Sequence, residues 1–246
     1  MLLEISGVKK QFGDKTVLDG ISMNVNKGEV VVVLGPSGCG KSTLLRCING
    51  LEEIQAGQIT FEGSQIIASD KVISEARQKI GMVFQSYDLF PHLNVIDNIT
   101  LAPRKVKKIS KEAAESEARE LLARVGLSDK EKSYPRELSG GQKQRVAIVR
   151  ALIMHPELLL FDEVTAALDP EMVREVLDVI SNLARQGRTM IIVTHEMQFA
   201  RAIADRIIFI DAGKIVEEQD PVVFFDNPQT NRAKQFLQTF TFERRK

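Results

Sequence analysis

Tryptophan is absent from this 246-residue chain, tyrosine occurs twice, histidine three times, and cysteine only at Cys39 and Cys47. Two cysteines make no disulfide framework and, with three scattered histidines, no zinc-ligand spacing, so a reducing cytoplasm is the expected setting. Long apolar runs are also missing. The longest, Val30–Leu34 and Leu158–Phe161, fall far short of the roughly 20 residues that a spanning helix needs. No charged start, apolar middle and small-residue cleavage site opens the sequence, so no secretory signal is expected. Nor is there an excess of charge. Acids and bases number 33 each, which leaves no overall field to draw the surface onto nucleic acid or an anionic bilayer. The short basic run Pro103–Lys108 reads as solvated loop.

The length suits one large domain near the upper size for a single core. Strand signals open the chain, and the alternation through Val17, Ser22, Met23, Asn24 and Val25 predicts a half-exposed antiparallel sheet. Val30–Leu34 differs, being a continuous β-branched run of the kind buried on both faces. The stretches "GQITFEG" and "KIGMVFQ" predict two more strands. From Gln85 to about Met154 the pattern turns helical: Ala114, Ala118, Leu121, Leu122 and Val125 share one face, and Gly126 closes that helix. Strands return as "ELLLFDE", "TMIIVTHE" and "RIIFID", separated by helices over about 171–186 and 197–204. That alternation implies an α/β fold with a parallel sheet. No repeat or low-complexity linker interrupts it, so residues 1–246 read as one domain with a helical insertion over about 86–154. An amphipathic helix and a basic tail, "ERRK", are expected at the end.

Gly35–Ser42, "GPSGCGKS", follows the buried strand and opens a helix, the context that a phosphate-binding P-loop requires. Gly35, Pro36, Ser37, Gly38, Cys39 and Gly40 form a bend whose backbone N–H groups can turn toward a polyphosphate, reinforced by the helix N-terminus. Lys41 would reach the β- and γ-phosphates, Ser42 would ligate Mg²⁺, and Thr43 could reach the α-phosphate. Cys39, beside Lys41 and a helix start, is in a setting that lowers a thiol pKa, although the favoured reading is a small residue that merely fits.

A second glycine motif, "LSGGQKQR" from Leu138 to Arg145, precedes another helix, and Ser139 with Gln142 also matches a capping box. Together the phosphate loop, "LSGGQ", the apolar strand ending in Asp162 and Glu163, "ALD" and a histidine after the next strand resemble the ATP-binding cassette (ABC) ATPases along essentially the whole chain. The resemblance implies a P-loop NTPase with a RecA-like mixed-sheet core, an antiparallel β subdomain and an inserted helical subdomain. It also implies a homodimer closing on two ATP molecules, with Ser139, Gly140, Gly141 and Gln142 of one subunit facing the γ-phosphate held by the other. By the same resemblance Glu163 is the general base, Asp162 supports Mg²⁺, and Gln85, at the end of its strand, touches the metal or the attacking water. His195 contacts the γ-phosphate, Asp169 lies at the dimer interface or caps its helix, and Phe12 and Val17 fall at nucleotide-binding positions, Phe12 stacking on adenine. His92 and His155 are expected to be structural or interfacial.

Residues Gln85–Pro103, "THEMQFAR" and "ALDPEMV" further resemble the ATPases of polar amino acid importers. The expected machine has two copies of the chain on the cytoplasmic face of two integral membrane subunits, served by an external solute-binding protein and without nucleic acid. Alternatives are another kind of ABC importer and a soluble or cell-division ABC ATPase. Two departures stand out: the family reads "DEPTSALD" where Val164 and Ala166 stand, so a looser loop is expected after Glu163. The adjacent acids are expected to diverge by strand alternation.

Overall fold

The computed structural model describes residues 1–66 and 69–240, so the "ERRK" tail lies outside the described residues. The chain divides into two compact units, 1–77 with 188–246, and 78–187. The first opens with β1 (Leu3–Phe12), β2 (Lys15–Val25) and β3 (Val30–Leu34), then α1 (Lys41–Ile48), β4 (Ala56–Phe61), the short β5 (Ser64–Gln65) and α2 (Asp70–Lys79), whose last two residues already belong to the second unit. In the second unit follow β6 (Ile80–Val83), α3 (Val95–Lys105), α4 (Lys111–Arg124), α5 (Gly140–Leu152), β7 (Leu158–Asp162) and α6 (Pro170–Arg185). The chain then returns to the first unit with β8 (Met190–Val193), α7 (Met197–Ile203), β9 (Arg206–Asp211), β10 (Lys214–Gln219), α8 (Pro221–Asp226) and α9 (Asn231–Gln238).

In the first unit β1 pairs antiparallel with both β2 and β4, and its side chains alternate between buried and open positions. β3 lies between parallel neighbours β8 and β9, with Val32 opposite both Ile192 and Ile207. All five β3 residues are buried, as an unbroken β-branched run demands. Burying each such side chain contributes about 1.5–3 kcal/mol. β10 returns antiparallel to β9, which makes the arrangement mixed. Beneath α8 and α9, Phe209 packs against Phe224 and Phe236, with ring centroids 5.9 and 5.0 Å away.

In the second unit β6 and β7 pair in parallel, and α3, α4 and α5 enclose a core of Val95, Ile99, Ala118, Leu122, Val146, Val149 and Ile153. Asn94 caps α3 by accepting the Asp97 N–H, and Ser110 caps α4 by accepting that of Ala113. Three sequence expectations shift. α2 is mostly charged and polar and was not foreseen. Pro103–Lys105 belong to the last turn of α3 rather than to a loop. β6 stops at Val83, so Gln85 sits in the turn beyond the strand. No helix among the described residues is long and apolar enough to cross a membrane.

Candidate functional site

The predicted site residues fall on both units, and each set is built by its own local structure. In the first unit the loop 35–40 connects β3 to α1. Gly35 has φ +154 and lies so close to β9 that a Cβ there would stand 2.0 Å from the Ile210 carbonyl oxygen. Gly40 has φ +107, and its missing Cβ leaves room for the carbonyl of Val17 and the side chain of Leu18. Val17 thus backs the loop. α1 has no side-chain cap and no acid in its first turn, which keeps its leading amides and partial positive charge available to an anion. Lys41 is buried, and its ammonium donates to the carbonyls of Gly35 (2.9 Å) and Pro36 (3.0 Å), so the charge lies across the loop. Ser37 and Gly38 are exposed, while Ser42 and Thr43 are half-buried at the start of α1.

Cys39 corrects the sequence expectation. Burial pushes its thiol up, and that outweighs the opposing pull of Lys41. At neutral pH the side chain is a protonated, buried thiol. Phe12 stands at the end of β1 with 46% of its surface exposed. His195 is exposed just beyond β8, where the buried Thr194 accepts the Glu196 N–H at 3.0 Å and turns the chain toward α7.

In the second unit Asp162 is the last residue of β7 and 5% exposed. Glu163 lies beyond the strand with φ +47. Glu163 is itself left-handed, so the extended alternation expected to set the two acids apart does not continue through it. The segment after them folds into turns. The Ala166 N–H donates to the Glu163 carbonyl (3.1 Å), the Leu168 N–H donates to that of Thr165 (3.1 Å), and Val164 is buried. Asp169 occupies the cap position of α6, with Pro170 at the first helical residue, but its exposed carboxylate makes no capping bond.

The "LSGGQ" segment forms the capped start of α5. Ser139 Oγ accepts the Gln142 N–H at 3.2 Å, and Gln142 Oε1 accepts the Ser139 N–H at 3.0 Å. Capping engages the serine oxygen as acceptor and leaves its proton to donate elsewhere. A Cβ on Gly140 would meet Leu168 at 2.9 Å and the Tyr87 hydroxyl at 3.1 Å, and one on Gly141 would meet Met172 at 2.9 Å. Sequence reading missed this packing, and also the hold of α5 on the turn after β6. Gln144 Nε2 donates to the Phe84 carbonyl (3.4 Å), and Arg150 donates to the carbonyls of Asp88 (2.6 Å) and Tyr87 (3.1 Å). Tyr87 and Asp88 are both left-handed, with φ +63 and +47, and exposed Gln85 lies just before them. The signal was there: Arg150 interrupts the apolar series Val146, Val149, Ile153. Of the remaining histidines, His155 pairs with Glu117 at 2.8 Å, and His92 stands edge-on to Phe90.

A strand, a glycine loop with a buried lysine and a helix start, with a serine-capped glycine pair on a second helix, is what a nucleotide-binding cassette requires. The family model for ABC transporters matches residues 18–166. The chain belongs to the ABC transporter family. This ABC chain is 55% identical to the glutamate transport ATP-binding protein GluA of Corynebacterium efficiens, over 96% of its own length and 98% of that protein's. It is equally similar, at 55% and with the same coverage, to the glutamine transport ATP-binding protein GlnQ of Bacillus subtilis. Among solved structures, a dimeric ATP-binding cassette in a post-hydrolysis state bound to ADP and Pi superposes with a TM-score of 0.81 at 32% identity, covering 89% of this ABC chain and 99% of that one. The expected P-loop ABC fold, with its mixed sheet, antiparallel β-sheet and helical elements, is met.

Proposed function

We propose that this chain is the ATP-hydrolysing subunit of an importer for polar or charged amino acids. The observation that carries the reading is similarity over 96% of the chain to proteins named for glutamate and glutamine transport. In this reading two copies close on two ATP molecules at the cytoplasmic face of the membrane, docked on two integral membrane subunits, while an external binding protein delivers the solute. ATP-driven closure favours the outward-facing state, and hydrolysis resets it.

The chemistry is positioning and charge stabilisation. Loop amides from Gly35 to Gly40 and the start of α1 bind the polyphosphate, Lys41 meets the β- and γ-phosphate charge, and Thr43 reaches the α-phosphate. The Ser42 hydroxyl, the Asp162 carboxylate and the Gln85 amide are the oxygen donors that would hold Mg²⁺. They fit a hard cation that keeps water and phosphate oxygens, and no group of three His, Cys, Asp or Glu among the described residues forms a protein cage for a metal. When bound, Mg²⁺ neutralises charge on the β- and γ-phosphates. Glu163 accepts a proton from water as the water oxygen adds to the γ-phosphorus and the bond to the bridging oxygen breaks, releasing ADP. His195 orients that water. Ser139, Gly140, Gly141 and Gln142 of the second copy donate to the γ-phosphate, with Asp169 beside them, and Phe12 and Val17 hold the base side.

Glu163→Gln is expected to bind ATP normally, to lose about 10²-fold or more in phosphate release, and to elute with Mg-ATP at twice the 27.5 kDa chain mass. Wild-type turnover in that variant would exclude Glu163 as the base. For transport, the chain copurified with its membrane subunits in liposomes should accumulate glutamate, glutamine or arginine with ATP. Stimulation only by an uncharged sugar or a metal would overturn the amino acid assignment.

A further inference from the structure

Lys10 is a charged residue in an unusual place. Strand alternation puts it on the inward side of β1 with Val8, and it is 6% exposed, whereas its neighbour Lys9 is open. Its ammonium donates to the Glu53 carbonyl at 2.8 Å, pairs with Glu52 at 3.1 Å, and sits 4.5 Å from the centroid of the Phe12 ring. Phe12 in turn is 46% exposed, the opposite of what a core phenylalanine does. A buried ammonium costs desolvation that an aliphatic side chain would avoid, so packing alone gives no reason for a cation behind this ring. A cation–π contact gives one.

We propose that Lys10 is a positioning and specificity residue for the purine. It fixes the Phe12 ring from within and draws π density toward the ammonium, so that the opposite face becomes a better platform for an electron-rich base. The inference rests on the reading above that Phe12 stacks on the nucleotide base. It assigns Lys10 no contact with the phosphates, and the test exploits that difference.

The dissociation constants of Mg-ATP and of Mg-bound inorganic tripolyphosphate are measured calorimetrically for the full chain and its variants. Lys10→Met should weaken ATP about three- to tenfold and leave tripolyphosphate unchanged, Lys10→Arg should restore most of the loss, and Lys10→Met should add nothing in a Phe12→Leu background. Lys10→Gln, which retains a donor for the Glu53 carbonyl, substitutes if Lys10→Met does not fold. Equal losses for ATP and tripolyphosphate, or a Lys10→Met effect that persists without Phe12, would overturn the proposal. So would an unchanged ATP affinity in Lys10→Met when Phe12→Leu weakens it. Unchanged ATP affinity in Phe12→Leu itself would instead remove the stacking role of Phe12 on which the proposal stands.

Discussion

Cys47 is fully buried on α1, and desolvation pushes its thiol up to about 12, from an ordinary value of 9.0. Between those values the unfolded chain has released the proton and the native chain holds it. Stability therefore falls as pH rises through that window, by about 1.4 kcal/mol per pH unit for this one group. Cys47→Ala should lose stability at pH 7 through its cavity, yet show a shallower decline from pH 9 upward than the wild type in denaturant melts. An identical slope would mean that the thiol does not titrate late. The same physics explains why the sequence misled at Cys39: the nearby lysine and helix start are visible in the motif, whereas the burial that overrides them is a property of the packed loop. Lys41, Ser42 and the loop glycines were legible because their chemistry depends on contiguous residues in a fixed order. The left-handed turn at Glu163 was not, since nothing in "DEVTA" demands it and only the turn closed by Ala166 reveals it.

Elements were read best where one period dominates. The β-branched run of β3 and the apolar face of α4 appear as expected, with boundaries shifted by a residue or two. α2 escaped because only Val72, Ile73 and Ala76 are apolar in its ten residues, too short a stripe to stand out from a charged segment. The connection between α5 and the turn holding Gln85 escaped for another reason: Arg150 within an apolar series marks a polar contact but not its partners, which are backbone carbonyls some 60 residues away. Burial lowers the affinity of the Arg150 guanidinium for its proton and outweighs the opposing pull of nearby Asp88. Arg150→Met would strip both left-handed carbonyls of their donor. We expect a loss of about 1–3 kcal/mol in urea unfolding and a fall in kcat with little change in KM for ATP, because the phosphate loop belongs to the other unit. A proportionate rise in KM with unchanged kcat would place the effect on nucleotide binding instead.

For the molecule as a whole, the sequence conveyed the fold class and the order of site residues. It did not convey the division at residues 77/78 and 187/188, because α2 and the segment after α6 carry no compositional break. Its stability is a small difference between large terms, so strain at one residue registers in the whole. A left-handed glutamate costs on the order of 1 kcal/mol relative to glycine. Glu163→Gly should accordingly raise the melting temperature by a few degrees while abolishing turnover, a pairing checked by calorimetry beside phosphate release. Selection of this protein for heat resistance alone would then favour glycine at the position proposed for the catalytic base, and any survivor that took that route would be inert.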